Sequence, residues 1–155
     1  MASSSRTGET PTLQRSLPNT ERTTARYLFA VSILSDGSGD RVATGELREY
    51  LDVTPASVSG MVAKLDERGL VDHEKYQGVR LTEEGRDIAE QVAWRVCLVS
   101  SFFDSVLDTA VDDRTAFEIG FALPRDGVVR LRELVNASCL DLCPESEHAH
   151  DRCPA

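Results

Sequence analysis

Residues 44–81 read TGELREYLDVTPASVSGMVAKLDERGLVDHEKYQGVRL, and few folds can accommodate that order of signals. Thr44 can cap a short helix in which Leu47 and Leu51, four apart, share a face. After a tight break, Thr54-Pro55 supplies a cap and a proline at the first helical position. The helix PASVSGMVAKLDERG then turns Val58, Val62 and Leu65 inward, and Gly69 is placed to end it. Leu70-Val71 begins an extended segment, HEKYQG forms a polar tip, and VRL returns as a second short strand. Two helices joined by a short turn and followed at once by a hairpin make a winged helix-turn-helix.

The flanks are helical. Tyr27, Leu28, Val31 and Leu34 place a helix over residues 23–34, closed by the turn cluster SDGSGD. Thr82 caps a long helix with Glu83 and Glu84 in its first turn, where the helix dipole favours carboxylates. Its apolar stripe runs through Ile88, Val92, Val96, Val99 and Phe103. Two more helices, over about residues 114–123 and 125–137, are separated by Pro124. The expected fold is mainly α with a small β-hairpin, a winged helix-turn-helix followed by a helical dimerisation region. Its divisions are a disordered N-terminal arm at 1–21, a DNA-binding domain at 22–82, the dimerisation region at 83–138 and a Cys/His-rich tail at 139–155.

In this arrangement the second helix enters the major groove of double-stranded DNA with its N-terminal residues against base edges. Those residues are Thr54, Ser57, Ser59, Gly60 and Met61. Hydroxyls can bond phosphates or bases, and Met61 could meet a thymine methyl. Lys64 and Arg68 follow on the helix, while His73, Lys75, Tyr76 and Arg80 decorate the wing. The net charge is −9, yet both lysines among the 17 basic residues fall in this segment, which suggests a local basic patch in an acidic protein. The bland alternative is that Lys64 and Arg68 line solvated faces and cover apolar surface with their stems. An acid excess with so little lysine resembles proteins of salt-loving microbes.

No run is apolar enough for a membrane span, and the N-terminus lacks the apolar centre of a signal peptide, so a cytoplasmic protein is expected. Thiols there stay reduced, which disfavours a disulfide framework. The tail CLDLCPESEHAHDRCPA carries Cys139, Cys143, His148, His150 and Cys153, five donors of the kind that bind zinc, iron or another transition metal such as manganese. Three other readings stay open: Cys139 as the buried end of the last helix, the histidines as solvated residues, or Cys139 and Cys143 as a redox pair. Cys97, alone between Val96 and Leu98, reads as core. No Gly-rich phosphate loop, His-Glu-x-x-His motif or catalytic triad pattern supports an enzyme.

The segments RYLFAVSIL, VSGMVAKLDERGLV and LTEEG resemble the iron- and manganese-dependent repressors of the diphtheria toxin repressor family, over about residues 26–134. The resemblance implies a homodimer with an N-terminal DNA-binding part and C-terminal helices that dimerise and hold a regulatory metal. It places the ligand from the first helix at Arg26, and the His and Glu of the long helix near Val96 and Ser100. The later ligands fall near Phe117, Gly120 and Phe121. Only Ser100 among these offers even a weak ligand. Val96, Phe117 and Phe121 are therefore expected to pack as a core that needs no metal, leaving the tail as the metal- or redox-responsive part. The resulting expectation is a dimeric transcriptional repressor. Its alternatives are a MarR-like winged-helix regulator without metal sensing, and a non-DNA-binding interaction module with a structural zinc clip.

Overall fold

The computed structural model describes residues 20–135. Helices α1 (Arg22–Leu34), α2 (Thr44–Leu51) and α3 (Pro55–Glu67) precede strands β1 (Val71–Glu74) and β2 (Gly78–Leu81). Helices α4 (Glu83–Ser105), α5 (Asp113–Ala122) and α6 (Arg125–Leu134) complete the order. This is the expected architecture of helices around one small hairpin. Among the described residues, no helix is long and apolar enough to cross a membrane.

The strands pair antiparallel with Val71 opposite Leu81 and Glu74 opposite Gly78. His73 and Glu74 thus belong to β1 rather than to the turn, which is confined to Lys75, Tyr76 and Gln77. Val42 adds a bridge to Val79, exchanging backbone bonds of 2.7 and 2.9 Å, so the segment before α2 anchors the wing. This anchoring corrects the expected start of α2. Thr44 lies inside the helix, and the N–H of Ala43 donates to the Glu46 carboxylate at 3.0 Å. The last helix ends at Leu134, three residues short of the expected end.

Three apolar clusters hold these elements. The first lies beneath the helix-turn-helix and joins Leu28 and Val31 of α1 to Leu47, Val58, Val62, Leu65 and Val79. The second joins Ala25 and Phe29, on the other side of α1, to Val92, Val96 and Val99 of α4 and Phe117 of α5. Helix α1 is therefore buried on two faces and ties the winged helix to the helical region. The third gathers Trp94, Cys97 and Leu98 of α4 with Val128 and Val135, and the Arg132 guanidinium lies 5.9 Å from the Trp94 ring centre. Cys97 is a buried core residue there, as its neighbours suggested.

Candidate nucleic-acid interface

Helix α3 is defined at both ends by its own sequence. Thr54 is extended, its Oγ1 accepts the Ser57 N–H at 3.2 Å, and Pro55 occupies the first turn, where a missing N–H costs nothing. At the far end the Leu70 N–H reaches the Leu65 carbonyl and the Gly69 N–H reaches that of Asp66, with Gly69 at φ +75°. These two bonds form a Schellman close that only a left-handed residue permits, and glycine takes that conformation without a Cβ penalty. Val58, Val62 and Leu65 are buried, which fixes the opposite face outward.

Thr54, Ser57, Ser59, Gly60, Lys64 and Arg68 all lie exposed on α3 and its flanks. The Thr54 hydroxyl also donates to the Ser57 hydroxyl at 2.9 Å, so the two act as one polar unit at the helix start. Gly60 has nothing within 4 Å of where a Cβ would stand, so no intramolecular packing accounts for a glycine here. Met61 is placed differently from its neighbours. It is half-buried against the first cluster and lines a groove of about 390 Å³ with Arg22, Ser57, Gly60 and Lys64, so only part of its side chain faces outward.

The charges are less free than their spacing implied. Glu21 lies 3.5 Å from the Lys64 ammonium and 3.8 Å from the Arg68 guanidinium, which also donates to Thr24 Oγ1 at 3.3 Å. On the wing, Arg80 Nε donates to Asp72 at 3.1 Å, and Lys75 lies 5.2 Å over the ring of Tyr76. Exposed pairs of this kind contribute about 0–1 kcal/mol, so a phosphate can replace the carboxylate partners at small cost. Tyr76, in the turn of the wing, is 92% exposed at φ +67°. His73 is exposed on β1, and its N–H donates to Asp66 at 3.1 Å.

Two residues here make contacts that no local sequence signal announces. Glu21, at the end of a stretch whose composition reads as a disordered arm, stands against α3. Arg41 donates to the Asp72 and Gly78 carbonyls and pairs with Asp72 at 2.7 Å and Glu74 at 2.8 Å, which holds both strands of the wing. The Arg41 hydrogen bond, with Arg80 adding to it, holds the Asp72 carboxyl below the usual range. The signal available was an arginine next to the bridging Val42, which spacing alone does not distinguish from a solvated turn residue.

Of the positions where the family resemblance places metal ligands, Val96, Phe117 and Phe121 belong to one apolar and aromatic arrangement. Phe29 stacks on Phe117 at 6.1 Å and Phe117 on Phe121 at 5.8 Å, with Val96 buried in the same cluster. Arg26 donates to the Leu51 carbonyl at 3.2 Å. Gly120 lies against the Arg95 backbone, while the Arg95 guanidinium donates to the Gly120 and Leu123 carbonyls, both at 2.9 Å. None of these side chains offers a lone pair that suits a transition metal. Among the described residues, no three His, Cys, Asp or Glu side chains converge on one point. Cys139, Cys143, His148, His150 and Cys153 lie outside the described residues.

Residues 19–79 match the family model of the iron dependent repressor, N-terminal DNA binding domain. The HTH-type transcriptional regulator MntR of Oceanobacillus iheyensis is 35% identical over 94 residues, 58% of this chain and 62% of that protein. The solved structure of a manganese-dependent transcriptional repressor in complex with manganese superposes with a TM-score of 0.65 at 27% identity, covering 72% of this chain and 52% of the other. The manganese regulator SloR gives 0.61 at 25% identity, covering 73% and 53%. The chain thus spans 62% of the curated relative's length and about half that of the solved ones.

Proposed function

We propose, starting from a DNA-binding part of the iron dependent repressor type, that this protein is a sequence-specific transcriptional repressor and not an enzyme. The observation that carries the reading is the outward face of α3, where small polar residues and Gly60 stand beside Lys64 and Arg68 with the exposed wing tip next to them. A face without bulky side chains allows close approach to a groove, and the flanking cations suit phosphates. The protein works in the cytoplasm as a homodimer on a roughly palindromic operator, and represses by covering a promoter. Its acid-rich, lysine-poor composition suits a salt-loving source.

Solved structures named for manganese support a metal-responsive regulator, but Phe29, Val96, Phe117 and Phe121 fill the helical region with side chains that cannot ligate. The response therefore belongs to Cys139, Cys143, His148, His150 and Cys153, which suit Zn(II) or Fe(II) better than Mn(II) because thiolates are soft donors. Oxidation of the same thiols offers a redox response.

DNA-binding anisotropy on fragments from upstream of the protein's own gene tests the reading. The double variant Lys64→Glu, Arg68→Glu is expected to lose at least about tenfold in affinity while keeping its helical circular dichroism, since it replaces two phosphate contacts by repulsion. Unchanged DNA binding would favour an interaction module. Metal content of the reduced protein, measured with and without residues 139–155, tests the second part. Metal that survives removal of the tail contradicts it.

A further inference from the structure

A second cavity, of about 260 Å³, lies where α1, the end of α2 and the start of α5 meet. Phe29, Leu51 and Phe117 form its floor, and all three are buried. Its rim carries both signs of charge: Asp52 and Asp113 on one hand, Arg26 and Arg114 on the other, with Tyr50 between. Asp112 also lines it, but that carboxylate is occupied by the Thr115 N–H at 2.8 Å and hydroxyl at 3.0 Å.

An apolar floor under a few converging polar groups is the usual form of a small-molecule site. Liquid water takes about 30 Å³ per molecule, so the space holds about nine water-sized groups, and its open side admits a ligand of up to about a dozen non-hydrogen atoms. The Tyr50 phenol is held above its usual range by burial and by Asp113, and Arg26 opposes that rise, so groups of both signs act on the same point.

We propose that this cavity binds a zwitterionic amino acid with an aromatic or branched apolar side chain. Asp113 and Asp52 take the ammonium, Arg114 and the remaining donors of Arg26 take the carboxylate, and the side chain lies on Phe29 and Phe117. The site is a second input, separate from any metal at the tail. Its position couples it to DNA: Asp52, left-handed at φ +55°, stands two residues before the Thr54 cap of α3, while Asp113 and Arg114 belong to the helical region. A ligand bridging them fixes the recognition helix relative to α5.

Calorimetric titration of the full chain with L-phenylalanine, phenethylamine and 3-phenylpropionate tests this. Saturable binding of L-phenylalanine is expected, with each analogue at least about tenfold weaker, because a charged group of the site is then left unpaired. Asp113→Asn and Arg114→Gln, both at exposed positions, should each lower L-phenylalanine affinity by about the same factor. Lack of saturable binding, equal binding of either analogue, or full affinity in a folded Arg114→Gln protein would each overturn the proposal. Loss of DNA binding by the Lys64 and Arg68 variant bears on the regulator reading alone, so the two can fail separately.

Discussion

At the residue scale, two helical glycines show opposite constraints. A Cβ on Gly85, in the first turn of α4, would overlap the Leu70 carbonyl oxygen, which already accepts the Thr82 N–H at 3.2 Å. Gly85 is what lets α4 begin directly against the base of the wing. Gly85→Ala is expected to destabilise by about 1–3 kcal/mol, since backbone must move to admit the methyl. Gly60→Ala is expected to stabilise by about 0.5–1 kcal/mol, because alanine is the better helix former and the surroundings are open. The same variant should weaken operator binding if that face meets DNA. Urea unfolding and anisotropy on both proteins check this, and a destabilised Gly60→Ala would contradict the open surface. Both glycines stood in the sequence as part of familiar patterns, and only the distance to a non-local carbonyl separates them.

Secondary-structure elements here are set largely by their caps. The Thr54-Pro55 and Thr82-Glu-Glu signals were legible because side chain, backbone and proline act within four residues. Thr54→Ala is expected to cost about 1 kcal/mol. Thr44 lies inside α2 rather than at its cap because the backbone bridge from Val42 to Val79 sets where the helix starts, and that partner lies 37 residues away. Two carboxyls carry a pH dependence. Hydrogen bonds from Thr115 hold Asp112, the cap of α5, below the usual aspartate value of 3.8, and Arg41 does the same for Asp72 in the wing. A depressed folded pKa means their contribution is complete above the unfolded value and lost as pH falls through the lower folded one. The α5 cap and wing clamp should therefore persist at pH 5 and weaken only below about pH 4. Side-chain NMR titration reads this directly, and either carboxyl titrating above 3.8 would contradict the assigned contacts.

For the whole molecule, the balance of charge sets how the proposed DNA contact responds to salt. Lys64, Arg68, Lys75 and Arg80 are the cations of the proposed face, so the proposed homodimer would neutralise at most about eight phosphates. The slope of log affinity against log salt is then no steeper than about −7. Intramolecular pairing with Glu21 and Asp72 should make it shallower still. A steeper slope in titrations from low to high KCl would mean that further cations reach the DNA. The sequence by itself determined the winged helix, because caps, apolar periodicity and turn residues are local signals that agree over residues 44–81. It also indicated that Val96, Phe117 and Phe121 could not hold metal, since their side chains carry no donor atom. Tertiary structure alone brought Phe29 onto Phe117, set Glu21 against Lys64, and brought Asp52 and Asp113 to the rim of one cleft. Those contacts join residues far apart in the chain, and nothing in local spacing fixes the angle at which two helices meet.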